Sequence, residues 1–163
     1  MPATVIIERS AFIAANPDSL KRRIANLPAW VEWSPWEDLD PRLDRRYSGA
    51  PGAVGSSYAW MGNRRAGAGR MVVTAVDLDG VSFALVFEKP FRSSNSVRFV
   101  LSPEGDGTRA IWRMESPATF LTRVLRIEKA VGADFERGLR RLKDIAERES
   151  GAGEASRPDR LRR

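Results

Sequence analysis

The hydrophobic period of the chain changes from two to 3.6 at Pro117, and that change dictates what the chain can fold into. In the middle of the chain, before it, apolar residues recur at every second position. Met71, Val73 and Ala75 alternate with Arg70, Val72 and Thr74. Val81, Phe83, Leu85 and Phe87 alternate with Ser82, Ala84, Val86 and Glu88, and Ala110, Trp112 and Met114 with Arg109, Ile111 and Arg113. Tyr58 and Trp60 share one parity, as do Val97, Phe99 and Leu101. A period of two places each set on one face of a strand. Turn signals separate these runs: Gly62-Asn63, Asp79-Gly80 read as a two-residue hairpin, Lys89-Pro90 as a strand stop, and Gly105-Asp106-Gly107. Consecutive strands joined by tight turns are antiparallel. After Pro117 the period becomes 3.6. Phe120, Leu121, Val124, Ile127, Val131, Phe135, Leu139, Leu142 and Ile145 fall on one side of a helical wheel, and Arg123, Arg126, Arg137, Arg140, Asp144 and Arg148 on the other. The pattern predicts an amphipathic helix of about 30 residues, roughly 45 Å long.

The N-terminal third adds one strand and two short helices. Val5, Ile7, Ala11 and Ile13 line one face of a strand over residues 4–13, with Arg9 breaking the apolar parity. Asn16-Pro17-Asp18 reads as a helix start, with Leu20, Ile24 and Leu27 as its apolar stripe and Pro28 as its end. A second short helix or turn carries Trp30 and Trp33, and Ser34-Pro35-Trp36 and Asp40-Pro41 mark the loop that leaves it. The sum is one α+β domain over residues 1–149: a six- to seven-stranded curved antiparallel sheet wrapped around a long C-terminal helix. Residues 150–163, rich in Gly, Ser, Pro and charge, read as a disordered basic tail.

Burial drives the apolar face of the sheet onto the apolar stripe of the helix. A twisted sheet of this size curves, and a straight helix laid in it leaves a gap that is either filled by side chains or kept as a cavity. The inward parity gives the candidate lining: Tyr58, Trp60, Met71, Val73, Phe83, Leu85, Phe87, Phe99, Trp112 and Met114 from the sheet, Val131 and Phe135 from the helix. A conventional apolar core has the same alternation. Gly138, on the inner side of the helix, fits either close helix–sheet contact or room for a ligand. Glu128 lies on the inner half of the same helix. It is a weak candidate for catalysis and, with Arg9 or Tyr58, for the polar end of a pocket; the favoured reading is a side chain at the stripe's edge that reaches water or pairs with a surface arginine.

Several stretches resemble one known family. They are Trp33-Ser34-Pro35-Trp36, Tyr47-Ser48-Gly49 through Val54-Gly55-Ser56, Tyr58-Ala59-Trp60, Phe87-Glu88-Lys89-Pro90, Thr108 through Met114, and Gly132-Ala133-Asp134-Phe135-Glu136-Arg137-Gly138-Leu139 with Leu142-Lys143. In order, over about residues 3–149, they resemble the START-like or SRPBCC superfamily, and most closely its bacterial polyketide cyclase/dehydrase-like members. The resemblance implies the helix-grip fold and a hydrophobic ligand cavity between the sheet and the long helix. It implies no single chemistry, because members include lipid carriers, hormone receptors, cyclases and chaperone activators. In such a fold Trp30, Trp33 and Trp36 border the cavity mouth, where they gate it or anchor a small secondary core.

Composition narrows the chemistry. The chain has neither cysteine nor histidine. That removes thiolate and imidazole metal sites, a cysteine nucleophile and a Ser-His-Asp triad. No cofactor is implied and no metal site is expected. The net charge of +6 invites nucleic acid as a partner. The arginines are spread along the whole chain, and the outer strand face shows no interleaving of aromatic and basic residues, so nucleic acid is not the expected partner. Glu8 and Arg9 interrupt the first apolar stretch, so neither an export signal nor a membrane span is expected, and the expected location is the cytoplasm. The expected partner is a hydrophobic small molecule (a lipid, polyketide or aromatic-like compound) that the protein carries, senses or sequesters. The alternatives are a cyclase or dehydrase-type enzyme acting in the same cavity, or a protein-interaction role as a chaperone co-factor or a toxin–antitoxin partner. A homodimer fits any of them.

Overall fold

A computed structural model describes residues 4–37, 39–89, 92–117 and 121–155, without the side chains of 121–128 and 151–155. Strand β1 (Thr4–Ile13) is followed by helix α1 (Pro17–Ala25) and a 3-10 helix (Leu27–Glu32). Strands β2 (Asp44–Ser48), β3 (Ser57–Met61), β4 (Ala68–Val76), β5 (Gly80–Lys89), β6 (Ser93–Glu104) and β7 (Gly107–Pro117) then form a meander, and helix α2 (Leu121–Ala155) closes the chain. The seven strands make one antiparallel sheet in the order β1-β7-β6-β5-β4-β3-β2. This is the helix-grip fold.

The register explains where the short helices go. β1 pairs with β7 from Thr4↔Pro117 to Ile13↔Thr108, whereas β2 lies at the opposite edge. The segment between β1 and β2 therefore has to cross the whole sheet. It does so as α1, the 3-10 helix and the loop to Asp44. Asn16 starts the crossing: its side-chain oxygen accepts from the Asp18 backbone N–H at 2.7 Å, with Pro17 in the first helical turn. α1 stops at Ala25, and Pro28 falls in the first turn of the 3-10 helix instead of ending α1.

The turn between β4 and β5 differs from the expected two-residue hairpin. The ladder ends at Val76↔Val81, and the loop is held by Asp77, whose carboxylate accepts from the N–H groups of Asp79 and Gly80, both at 3.0 Å. Gly80 is needed for another reason: a Cβ there would collide with the carbonyl oxygen of Phe99 on β6. At the β6–β7 turn the expected Gly105-Asp106-Gly107 turn forms as a two-residue connection across Glu104↔Gly107, with Gly105 at φ 53°.

Under the sheet an aromatic block fills much of the interior. Trp112 stacks on Phe135 of α2 at 4.1 Å between centroids, and its other neighbour Phe99 is 4.8 Å away. Trp30 and Trp33, 4.3 Å apart, pack edge-on against Phe99 and Trp112, and Trp30 also against Phe83. The two tryptophans thus belong to the main core and not to a secondary one. The Trp30 indole N–H, buried here, donates to the Ile24 carbonyl at 2.7 Å. Full burial of each such side chain contributes about 1.5–3 kcal/mol, which makes this block the anchor of α2 on the sheet.

Gly138 sits where α2 comes closest to this block. A Cβ at 138 would lie 2.8 Å from Trp112 and 3.0 Å from Pro35, so close contact, not ligand room, accounts for this glycine. Farther along, the Lys143 ammonium donates to the Phe12 carbonyl at 3.0 Å, and Glu147 accepts from the Ala14 N–H at 3.0 Å, tying α2 to the end of β1. The helix continues to Ala155, past Ser150 where the composition changes. Residues 156–163 of the expected tail lie outside the described residues. Among the described residues no helix is long and apolar enough to cross a membrane.

Candidate functional site

The aromatic block does not extend under β3, β4 and the end of β5. There the interior keeps a cavity of about 400 Å³, partly open to solvent. This is within the size range of small-molecule sites, roughly 300–1,000 Å³. Its sheet wall is Tyr58 and Trp60 from β3, Met71 from β4, Leu85 and Phe87 from β5, and Met114 from β7. Val131 and Asp134 of α2 face that wall, while Trp30, Ser34, Trp36, Glu37, Leu39 and Leu43 close one side from the crossing segment. Arg65, Ala66 and Gly67 of the β3–β4 turn and Lys89 at the end of β5 complete it.

Local sequence sets this shape. Tyr47, Tyr58 and Trp60 stack in series across β2 and β3, at 5.1 and 5.8 Å between centroids. Trp60 is pinned to the β3–β4 turn because its indole N–H donates to the Ala66 carbonyl at 3.0 Å. Its ring lies over Gly69, where a Cβ would come within 2.6 Å of it. The ring therefore leans along the wall and leaves the middle of the cavity open.

Two polar groups are built into the apolar lining. Glu37, whose side chain is only 9% exposed, is paired with Arg45 of β2, whose Nε lies 2.9 Å from the carboxylate. Burial, and then the negative charge of Glu37, push the Tyr58 phenol well above its ordinary range, so it stays protonated. The Glu37 bond likewise raises Arg45. On the opposite side Asp134 accepts from the Trp36 indole at 3.0 Å and from Arg137 at 2.7 Å. Arg137 and Arg141 reach the carbonyls of Pro35 and Ser34, so the Ser34–Trp36 loop is latched to α2. The arrangement offers an apolar slot with a neutral hydroxyl donor and a carboxylate–guanidinium pair at its edge. No group of three or more acidic side chains able to hold a metal ion occurs among the described residues.

Of the residues singled out from the sequence, the structure brings Tyr58, Trp60, Met71, Leu85, Phe87, Met114 and Val131 to the cavity wall. It places Val73, Phe83, Phe99, Trp112 and Phe135 elsewhere, in the packed core, each 2% exposed or less. Trp30 and Trp33 occupy the space those residues face. The side chain of Glu128 lies outside the described residues. Arg9 is not a cavity residue: it lies over Gly132 and pairs with Glu136 at 2.9 Å. Glu37, Asp134 and Trp36 carry the polar and aromatic features that strand parity does not reveal. Asp134 had a legible signal, three residues after Val131 and so on the neighbouring position of the same helix face.

A family model described as "Polyketide cyclase / dehydrase and lipid transport" matches residues 4–147. No curated protein sequence matches the chain. Among solved structures, major latex-like protein 151 from Panax ginseng superposes with a TM-score of 0.66 at 16% identity, covering 88% of this chain and 97% of that one. The di-domain ARO/CYC protein StfQ of the steffimycin biosynthetic pathway gives a TM-score of 0.68 at 15% identity, covering 91% of this chain and 52% of that one. The Aha1 dimer from Colwellia psychrerythraea gives 0.58 at 18% identity, covering 88% and 96%. At such identities these likenesses concern the fold alone.

Proposed function

The chain belongs to the polyketide cyclase/dehydrase and lipid transport family of the START-like superfamily, and on that premise we propose that it binds a small, largely apolar molecule in the cavity under β3–β5. The observation that carries the reading is the unfilled 400 Å³ space itself, walled by Trp60, Phe87, Leu85 and Met114 beside a core in which Trp112, Phe99 and Phe135 pack ring on ring. Apolar walls with a few placed polar groups characterise small-molecule sites. The Tyr58 hydroxyl and the Glu37–Arg45 pair supply those groups, suited to orienting a carbonyl or hydroxyl of the ligand.

The test uses a neutral apolar fluorophore, N-phenyl-1-naphthylamine, titrated against the wild type and Leu85→Trp. The larger side chain fills the cavity from the middle of the sheet. The expected result is saturable binding to the wild type and none to the variant, with the folded circular dichroism spectrum kept. Met114→Phe serves the same purpose from β7 should Leu85→Trp fail to fold. Equal binding by wild type and filled variants refutes the site.

A second reading, an enzyme of cyclase or dehydrase type, draws on one feature. Glu37 brings a carboxylate to the wall beside a protonated phenol, two groups of the kind that move protons at carbonyl compounds. Conversion of a bound carbonyl compound by the wild type, and its loss in Glu37→Gln with binding retained, selects this reading over a carrier.

A further inference from the structure

The charges around the cavity are not balanced, and we infer that its ligand carries an anionic head, a carboxylate or phosphate, held by Arg65 and Lys89 with the apolar body inside. This rests on the cavity being a ligand site. Among the described residues four charged ones line it: Glu37, Arg65, Lys89 and Asp134. Both acids are already matched, Glu37 by Arg45 and Asp134 by Arg137. Among the described residues neither Arg65 nor Lys89 forms an ion pair.

The two cations sit together because of the register. Arg65 is in the β3–β4 turn, β4 begins at Ala68, and Ala68 pairs with Lys89. Glu88, the neighbouring acid, is the extra residue of the bulge between the Ala68↔Lys89 and Gly69↔Phe87 pairs and does not line the cavity. Asp40, beneath the same turn, is committed to the backbone N–H groups of Arg42 and Asn63 at 2.8 and 2.7 Å. Inside this pair of cations the wall turns apolar at once, with Trp60 and Phe87 in edge-to-face contact at 5.8 Å. A neutral apolar molecule uses the second feature and not the first. An anionic amphiphile uses both: its tail removes the aromatic and aliphatic wall from water, and its head meets two cations that hold no other partner there.

Displacement of N-phenyl-1-naphthylamine by decanoate, decyl phosphate and decan-1-ol tests this on wild type and the Arg65→Gln/Lys89→Gln double variant. The expected result is a margin of about tenfold in favour of an anion over the alcohol for the wild type, the size expected of two partly exposed ion pairs. The margin should shrink between about 50 mM and about 500 mM salt. The double variant should lose most of it. Whether decanoate or decyl phosphate gains more identifies the head. Equal affinity for anion and alcohol in the wild type, or an unchanged margin in the double variant, overturns the inference and leaves the cavity reading intact. Failure of all three to displace the probe overturns both.

Discussion

Replacing Gly138 by alanine sets a gain in helix propensity against an overlap in the core. Alanine is favoured over glycine in a helix interior by about 1 kcal/mol. The added Cβ would lie 2.8 Å from a Trp112 ring carbon and 3.0 Å from Pro35 Cδ. Carbon atoms ordinarily pack at about 3.5–4.0 Å. Trp112 has little freedom to retreat, because Phe135 and Phe99 sit against it at 4.1 and 4.8 Å. Overpacking of this kind costs about 1–3 kcal/mol, so Gly138→Ala is expected to destabilise by about 1 kcal/mol net. Gly132→Ala is the control on the same helix. The nearest atoms to its Cβ are those of the Arg9 guanidinium, whose side chain is 37% exposed and able to swing aside. The most it forfeits is the surface pair with Glu136, below about 1 kcal/mol, so it should be neutral or more stable than the wild type by about 0.5 kcal/mol. Urea unfolding with unchanged m-values measures both. The two variants should differ by about 1.5 kcal/mol, with fluorophore binding intact in each. A Gly138→Ala protein as stable as Gly132→Ala would refute the packing argument, and one that loses only ligand binding would restore Gly138 to the cavity.

Asp134→Ala removes the acceptor of the Trp36 indole and of Arg137, which should cost about 1–2 kcal/mol in urea unfolding. The same variant should weaken fluorophore binding by loosening the Ser34–Trp36 wall; unchanged binding would mean that wall is held by something else. Both tyrosines titrate above their ordinary value of 10.0, chiefly through burial and then through Glu37. Ultraviolet absorbance should therefore show less tyrosinate at pH 10 in the folded protein than in the unfolded one. Because the unfolded phenols ionise first, stability falls as pH rises above 10.0, and Tyr58→Phe should reduce that fall. Lys143 and then the Ala14 N–H hold the Glu147 carboxyl below its ordinary value of 4.5. Its contribution is present above 4.5 and lost as pH falls through the lower folded value, so Glu147→Gln should flatten that part of the pH–stability curve. An acid limb identical to wild type would contradict the contact.

Most strands were legible because they carry their face in their own sequence. β1 occupies residues 4–13, where the alternation of Val5, Ile7 and Ile13 puts it, whereas β2, exposed along nearly its whole length, carries no such alternation. The Asp79-Gly80 turn was misread because the dipeptide signal is local, whereas the Asp77 side chain captures two N–H groups and the constraint on Gly80 comes from β6. The cavity was legible only by face. Parity says that Phe83 and Phe87 point inward, but not that Trp30 covers the first and leaves the second at an open space. That depends on where the crossing segment lies, which involves no periodicity. Glu37 and Trp36 reach the site from the same segment, and for the same reason no strand or helix pattern marks them.

The central claim is that the interior is solid around Trp112 and hollow beside Trp60. Crystals pressurised with xenon test it directly, since an apolar void of this size takes up the gas and packed aromatic rings do not. The account expects a xenon peak enclosed by Trp60, Leu85, Phe87 and Met114 and none between Trp112, Phe99 and Phe135. An empty map at the first position, with side chains closed over it, would contradict it.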